Sequence, residues 1–206
     1  MPIVRGPFRG ARVLLRPRVS LRKVLGVYEH ELNGWLERAL DRCRRVIDVG
    51  ANDGYFTFGC ASAMRRRGNP VDIIAFEPQE YHLQDLRSSI GRCGMTGITL
   101  IPKFVGSHDD ERTVTLDGVC PESSMCTLVK LDIEGAEYEA LRAGTRLINE
   151  NNLFVIEVHR EALQAPIMEL FRAHGCPLKR IDHFPHRVLG AERRDGENYW
   201  LVTPLE

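Results

Sequence analysis

The sequence has no excess of charge of either sign and no long hydrophobic run. Its 206 residues include 28 lysines and arginines against 28 aspartates and glutamates. This balance gives no electrostatic reason to expect nucleic acid or an anionic membrane as the main partner. The apolar run at residues 13–15 is too short to span a bilayer or to form the core of a signal peptide. We therefore expect a cytoplasmic protein without a membrane span.

The sequence also lacks the short motifs of several common sites. It has no GxGxxG motif, which binds a dinucleotide pyrophosphate, and no HExxH motif of the zinc proteases. The cysteines form neither CxxC pairs nor zinc-finger spacing, so we expect reduced thiols and no disulfide framework. We likewise predict no resident metal. The six cysteines stand at positions 43, 60, 93, 120, 126 and 176.

Charge is distributed unevenly, because the first 25 residues contain no acid. Such a stretch is typical of a transit peptide, of an arm for an anionic partner, or of an ordinary solvated extension. Apolar residues at 18–44 predict a capping helix. We therefore divide the chain into an extension with this helix at 1–44 and one catalytic domain at 45–206. The basic residues of the leader are Arg5, Arg9, Arg12, Arg16, Arg18, Arg22 and Lys23.

The most informative stretch, residues 46–56, is an apolar run that ends in an acidic, glycine-spaced turn. Its β-branched residues predict a strand buried on both faces, and Gly50 and Gly54 allow a tight turn with close approach of the backbone to a ligand. Residues 55–64 have the composition of a helix. The order strand, loop, helix places the loop at the carboxyl end of a parallel strand, where such folds bind ligands.

The polar residues of this loop favour one cofactor over another. Asp48, Gly50, Asn52 and Gly54 form the pattern DxGxNxG, with an acid two residues before the first glycine. A carboxylate there can hold an amino group. S-adenosylmethionine (SAM) carries an ammonium and no phosphate, so the loop suits SAM better than a dinucleotide.

A second acid follows the next predicted strand. Residues 71–76 run apolar into Glu77 and Pro78. A carboxylate at this place can accept both hydroxyls of a ribose. The nearest downstream basic residue is Arg87, which argues against a 2′-phosphate and hence against NADP. A solvated acid at the strand end is the alternative interpretation of Glu77.

A third strand, at residues 128–132, leads to Glu134 and Glu137 at the start of a predicted helix. Together with the stretches VIDVGANDGYFT, IIAFEPQ, TVTLDGV and FVIEVH, it resembles the FkbM family of SAM-dependent methyltransferases. These five ordered blocks span residues 46–159. The segment between positions 98 and 114 is shorter than the family leads us to expect, which puts the substrate side of the pocket in question.

The resemblance implies SAM as cofactor and transfer of its methyl group to a hydroxyl of a small molecule or glycan. A hydroxyl acceptor requires a base, and the candidates are Asp132, His159 and Glu134. Asp132 is the first choice, although it could instead bind the cofactor or cap the following helix. The predicted cofactor-binding residues are Asp48, Gly50, Ala51, Asn52, Asp53, Gly54, Tyr55, Phe56, Glu77, Pro78, Val105, Gly106, Ser107 and Asp132.

Other interpretations stay open at this stage. An NAD-dependent oxidoreductase is the rival enzyme class, and a SAM-binding module without catalysis is the rival outside enzymology. Glu157 and His159 share a strand face and could close a metal site with Asp132 and Glu134, but no ligand motif supports it. Lys130 is expected to pair with Asp132 or Glu157. The sequence does not define the oligomeric state.

Strands and helices alternate along the chain, which predicts a doubly wound, Rossmann-like α/β methyltransferase fold. The sheet should have seven strands, mostly parallel, with the last strand inserted antiparallel. The predicted strands are 45–50, 72–77, 98–101, 128–132, 153–158, 178–183 and 197–203. The predicted helices are 54–66, 79–92, 135–149 and 160–174.

Overall fold

The structure, a computed structural model, describes residues 2–13, 21–120, 124–187, 189–190 and 198–205. It alternates strands and helices as expected. The α-helices are α1 (Leu21–Leu25), α2 (Asn33–Arg42), α3 (Tyr55–Arg66), α4 (Glu80–Cys93), α5 (Leu116–Val119), α6 (Glu137–Arg142) and α7 (Gln164–Ala173). The strands are β1 (Arg45–Val49), β2 (Ile73–Phe76), β3 (Ile98–Ile101), β4 (Phe104–Val105), β5 (Thr113–Val114), β6 (Thr127–Leu131), β7 (Leu153–Val158), β8 (Lys179–Ile181) and β9 (Tyr199–Val202).

Seven strands form the main sheet in the order β3-β2-β1-β6-β7-β9-β8. The pairings from β3 through β7 are parallel, and β9 runs antiparallel to both β7 and β8. The predicted fold class, including the antiparallel last strand, is confirmed. Because β1 lies between β2 and β6, the chain reverses direction of winding there, and the carboxyl ends of these strands meet at one edge.

Apolar side chains alternate between the two faces of the sheet and build two hydrophobic cores. One core packs the inner face of α2 and α3 against strand residues such as Val46 and Val155. The other packs the helices that follow β6 and β7 against residues such as Ile47 and Ile156. The central strands are therefore buried on both faces, as their continuous apolar sequences predicted.

The segment ahead of the sheet packs against the first of these cores. Trp35, Leu36 and Leu40 of α2 are buried. Where one capping helix was expected at 18–44, the described residues form α1, a 3₁₀ helix at His30–Leu32 and α2. Phe8 is also buried, and its ring fills the place where a side chain at Gly59 of α3 would project. The basic residues Arg16 and Arg18, and positions 18–20 of the predicted helix, lie outside the described residues. The division of the chain at residue 44 stays a prediction.

The helix predicted at 135–149 is wrong in extent. The chain forms α6 only over Glu137–Arg142, and a separate 3₁₀ helix follows at Thr145–Leu147. Gly144 separates them with φ −138°, outside the helical region. A side chain there would collide with Leu116, so the close packing of α5 against this bend breaks the helical spacing seen in the sequence.

Two further observations concern the composition of the chain. All six cysteines are free thiols. Among the described helices, we find none that combines the length and hydrophobicity of a membrane-crossing segment.

Candidate active site

The glycine loop, residues 50–54, begins directly after β1 and is held close to the end of β6. Gly50 has φ +85°, and a Cβ atom at this position would overlap the carbonyl oxygen of Asp132. Only glycine meets both conditions without strain. Asn52 is also left-handed, with φ +49°, a conformation that asparagine tolerates better than most residues. The loop is therefore shaped by its backbone.

Glu77 ties the glycine loop to the end of β2. Its Oε2 atom accepts a hydrogen bond of 2.8 Å from the backbone N–H of Asn52, and its Oε1 atom accepts one of 2.8 Å from the backbone N–H of Gln79. The residue is only 4% exposed. The carboxylate is thus fixed in position before any ligand arrives, with lone pairs left to accept further hydrogen bonds.

A cavity of about 470 Å³ opens between the ends of β1, β2 and β6. This volume lies within the range of small-molecule pockets, roughly 300–1,000 Å³. Of the residues predicted from the sequence, those that line it are Gly50, Asn52, Glu77, Pro78, Val105, Asp132 and Glu134. Residues from three strand ends, far apart in the sequence, therefore converge on one space.

Asp48 occupies a different position from the one that its motif implied. Its side chain is fully buried: Oδ2 accepts a 2.5 Å hydrogen bond from the hydroxyl of Thr57, and Oδ1 lies 3.6 Å from Nζ of Lys130. Burial raises its pKa, while Lys130 and Thr57 oppose that shift. Contact of Asp48 with a cofactor ammonium stays a prediction, and in this structure its carboxylate faces Thr57 and Lys130.

The other predicted cofactor residues lie around the cavity without lining it. Asp53 pairs with Lys23 at 2.5 Å, and the ring of Tyr55 packs edge-on against that of Tyr28. Ser107 is exposed, next to His108. The remaining members of this group are Ala51, Gly54, Phe56 and Gly106.

Beside the cavity lies a group of ionisable side chains that we term the charged cluster: Lys130, Asp132, Glu137, Glu157 and His159. The Nζ atom of Lys130 is 3.1 Å from Oδ2 of Asp132, which confirms the expected pairing of these residues. Nε2 of His159 lies 3.4 Å from Oδ1 of the same carboxylate. Asp132 therefore has a cation on one oxygen and an imidazole beside the other.

Glu137 fixes the orientation of His159. Its Oε1 atom lies 2.6 Å from Nδ1 of the imidazole and also accepts the backbone N–H of Gly135. Its side chain is completely buried. Because Nδ1 is engaged in this way, the imidazole presents Nε2 towards Asp132.

Burial and charge act in opposite directions on the pKa values of the cluster. Burial alone would lower the pKa of Lys130, but Asp132 and Asp48 outweigh it and raise the pKa. Burial would raise the pKa of Asp132, yet Lys130 and His159 lower it. The pKa of His159 is raised, because the hydrogen bond to Glu137 and the nearby carboxylates overcome the effect of burial.

Reasoning from the sequence missed part of this site. Glu134 was expected in the first turn of a helix, but it has φ +53° and precedes α6. Glu137 was expected at the start of that helix and stands there, but no sequence pattern indicated that it is buried against His159. The cavity is also lined by Tyr81, His82, Lys103 and Phe104, which no motif indicated. They were hard to recognise, because Tyr81 and His82 lie at the start of α4, Lys103 lies in the turn before β4, and Phe104 belongs to a strand of only two residues.

Comparison with known proteins agrees with the fold. A model of the methyltransferase FkbM domain matches residues 88–176. The structure of a methyltransferase FkbM from Methylobacillus flagellatus KT is similar, with 18% identity and a TM-score of 0.63, over 79% of this chain and 44% of that one. A comparison with curated proteins found no sequence match.

Two other similar structures differ in the acceptors that their names state. A precorrin-6y C5,15-methyltransferase from Geobacter metallireducens GS-15 has 14% identity and a TM-score of 0.54, covering 82% of this chain and 88% of its own. An rRNA methylase from Streptococcus thermophilus has 14% identity and a TM-score of 0.56, covering 85% and 97%. At these identities the likeness shows the fold.

The domain match and the fold together confirm the resemblance to the FkbM methyltransferases. The match begins at residue 88, after the glycine loop and Glu77, so those two features rest on the structure itself. The chain spans less than half of the length of the similar FkbM structure.

Proposed function

We propose that this protein is a SAM-dependent methyltransferase that methylates a hydroxyl oxygen of a small molecule or glycan. The observation that carries the proposal is the placement of Glu77. Its carboxylate is held by two backbone N–H groups and lines the same cavity as Asp132 of the charged cluster. In this arrangement Glu77 can bind a ribose, and Asp132 can take part in the transfer of a proton.

The residues of the cavity fit the parts of the cofactor. Gly50 has no side chain and lets a ligand approach the backbone, and Asn52 stands beside it in the lining. Glu77 accepts the two ribose hydroxyls. Phe104 and Tyr81 offer exposed rings at the cavity edge, beside Val105, where the FkbM resemblance places the adenine.

Methyl transfer then requires an aligned acceptor and a place for its proton. When bound, SAM supplies a methyl group that is activated by its positively charged sulfonium. The leaving group is the neutral thioether S-adenosylhomocysteine. Asp132, at the boundary between cavity and charged cluster, orients the acceptor hydroxyl. As the oxygen attacks, its proton passes to the site formed by Asp132, His159 and Glu134. Glu137 serves as a positioning residue for His159.

Direct binding tests the cofactor assignment. Isothermal titration calorimetry should give a saturable heat with S-adenosylhomocysteine and none with NAD. If equilibrium dialysis showed that the protein binds NAD and does not bind SAM, the proposal would be wrong and an NAD-dependent oxidoreductase would be favoured. The absence of GxGxxG and the methyltransferase comparisons favour SAM.

The choice of oxygen as acceptor is tested separately. A library of hydroxylated small molecules and glycans is incubated with methyl-labelled SAM, and the labelled product is analysed for its methylated atom. Transfer to oxygen, reduced by Asp132→Asn and His159→Ala, supports the proposal. Binding of SAM that survives these variants, with no acceptor methylated by the wild type, would indicate a binding module. The same assay should include RNA as a possible acceptor, because an rRNA methylase shares the fold.

A further inference from the structure

Three side chains of the charged cluster converge on one point. One ligand atom from each of Asp132, Glu157 and His159 lies within 4.8 Å of the others. Adjacent ligand atoms that sit about 2.0–2.2 Å from one ion are separated by roughly 3 Å, and opposite ones by roughly 4 Å. The observed spacing therefore needs only a small contraction to match one coordination sphere.

The orientation of His159 is the one that metal-binding histidines adopt. Such residues usually give their second ring nitrogen to a carboxylate or carbonyl, which fixes the tautomer and aims the other nitrogen at the ion. Here Glu137 occupies Nδ1 at 2.6 Å, and Nε2 lies 3.4 Å from Oδ1 of Asp132.

Charge gives an independent indication. Asp132 and Glu157 place carboxylate oxygens within 4.8 Å of each other and of a ring nitrogen of His159, and Glu137 lies on the other ring nitrogen. Lys130 contacts Asp48 and Asp132 and can balance the charge of one of these two carboxylates. Because Glu137 and Glu157 are also present, negative charge remains in excess.

A buried oxygen adds a further sign. The Oε2 atom of Glu137 has no hydrogen-bond partner among the described residues, although the side chain is fully buried. Buried charged oxygens are costly unless they interact with a cation, a donor or water. The ammonium of Lys130 pairs with Asp48 and Asp132, and among the described residues no ion pair joins it to Glu137.

We propose that Asp132, Glu157 and His159 bind a divalent cation through two carboxylate oxygens and one imidazole nitrogen, with Glu137 orienting the histidine. Carboxylates suit Mg²⁺ and Mn²⁺, while imidazole favours the first-row transition metals, so Mn²⁺ is the probe. The role of the ion in catalysis rests on the proposed function: the ion would bind the oxygen of the acceptor hydroxyl and lower the pKa of that hydroxyl. Glu134, in the cavity lining, is then the proton acceptor.

Mn²⁺ binding to the full chain, stripped with EDTA, tests the site without any assay of activity. Calorimetry or electron paramagnetic resonance should show one saturable site. Glu157→Gln and His159→Gln should each weaken it at least about tenfold, since each removes a ligand. The matched controls Glu169→Gln and His174→Gln, both at exposed positions near α7, should leave it unchanged.

A second measurement avoids the variants altogether. Substoichiometric Mn²⁺ added to the wild type should broaden the imidazole resonances of His159 before those of His174. Absence of saturable binding, equal affinity in all four variants, or equal broadening of both histidines would overturn the proposal. Titration with S-adenosylhomocysteine runs in parallel: heat with it but none with Mn²⁺ removes only the metal site, and the reverse removes only the proposed function.

Discussion

The glycine loop and the charged cluster lie at the ends of neighbouring strands, yet they are built by different means. The glycine loop depends on backbone geometry: a positive φ at Gly50, a left-handed Asn52 and two N–H donors to Glu77. The charged cluster depends on side-chain charge in a buried setting, where Lys130 holds Asp48 and Asp132. The glycine loop should therefore be most sensitive to substitutions that change its shape, and the charged cluster to substitutions that change its charge. Four substitutions test this contrast.

Lys130→Met should have the largest effect, because it leaves the fully buried carboxylate of Asp48 and the partly exposed one of Asp132 without their shared cation. We expect a loss of about 3–5 kcal/mol in the free energy of unfolding, measured by urea denaturation. Lys179→Met, at an exposed position on β8, is the matched control and should change little. An equal loss in both would contradict the electrostatic account of the cluster.

The same variant has a predicted pH dependence. Lys130 lowers the pKa of Asp132 in the wild type, so its removal lets the desolvated carboxylates take up protons at higher pH. Protonation removes the uncompensated charge as the pH falls. The stability difference between wild type and variant should thus be smaller at about pH 5 than at about pH 8. A stability difference between wild type and variant that increases as the pH falls would refute this explanation.

Gly50→Ala should be nearly as damaging, for a steric reason. The added methyl overlaps the carbonyl oxygen of Asp132 in a backbone region that alanine avoids, which should cost about 3 kcal/mol of stability. Binding of S-adenosylhomocysteine should be lost as the loop moves. Gly91→Ala on the outside of α4, where nothing would meet the methyl, is the control and should be neutral or slightly stabilising. Equal stability of the two variants would show that the loop adapts.

His159→Gln should affect transfer more than cofactor affinity. We expect the rate of methyl transfer to fall about 100-fold or more, while the Kd of S-adenosylhomocysteine stays within about a factor of two. The measurement is a single-turnover assay beside calorimetry, with His174→Gln as control. A large loss of cofactor affinity would mean that the charged cluster belongs to the cofactor site.

Glu77→Gln should show the smallest of these effects. The amide keeps the shape of the carboxylate but accepts fewer hydrogen bonds and carries no charge, so the affinity for S-adenosylhomocysteine should fall at least about tenfold, or about 2 kcal/mol if both ribose contacts weaken. Mn²⁺ binding should not change. Glu80→Gln, exposed in the first turn of α4, is the control. Unchanged affinity would refute the ribose assignment.

Much of the sheet could be predicted because each central strand is a mostly apolar run followed by a polar turn, with Asp48 in β1 and Lys130 in β6 as charged exceptions. Residues 45–50 and 72–77, for example, correspond closely to β1 and β2. The failure at 135–149 came from packing: Gly144 lies against Leu116, a contact that no local pattern contains. The pair β4 and β5 escaped notice because each strand has only two residues.

The candidate site was predictable only in part. The glycine loop and Glu77 follow from strand ends, which sequence patterns locate well. The bond between Glu137 and His159 joins residues 22 positions apart on different elements, so it depends on how α6 packs beside β7. The burial of Asp48 was missed for a similar reason, because the motif gives the residue type and spacing but not the direction of the side chain.

The packing of Phe8 against Gly59 has a consequence for the growing chain. Gly59 of α3, against which Phe8 packs, is synthesised about 50 positions after Phe8. At about 5–20 residues per second, this delay lasts several seconds on the ribosome. During that interval a large aromatic ring has no surface to cover it, and a chaperone that binds hydrophobic nascent segments would find it there.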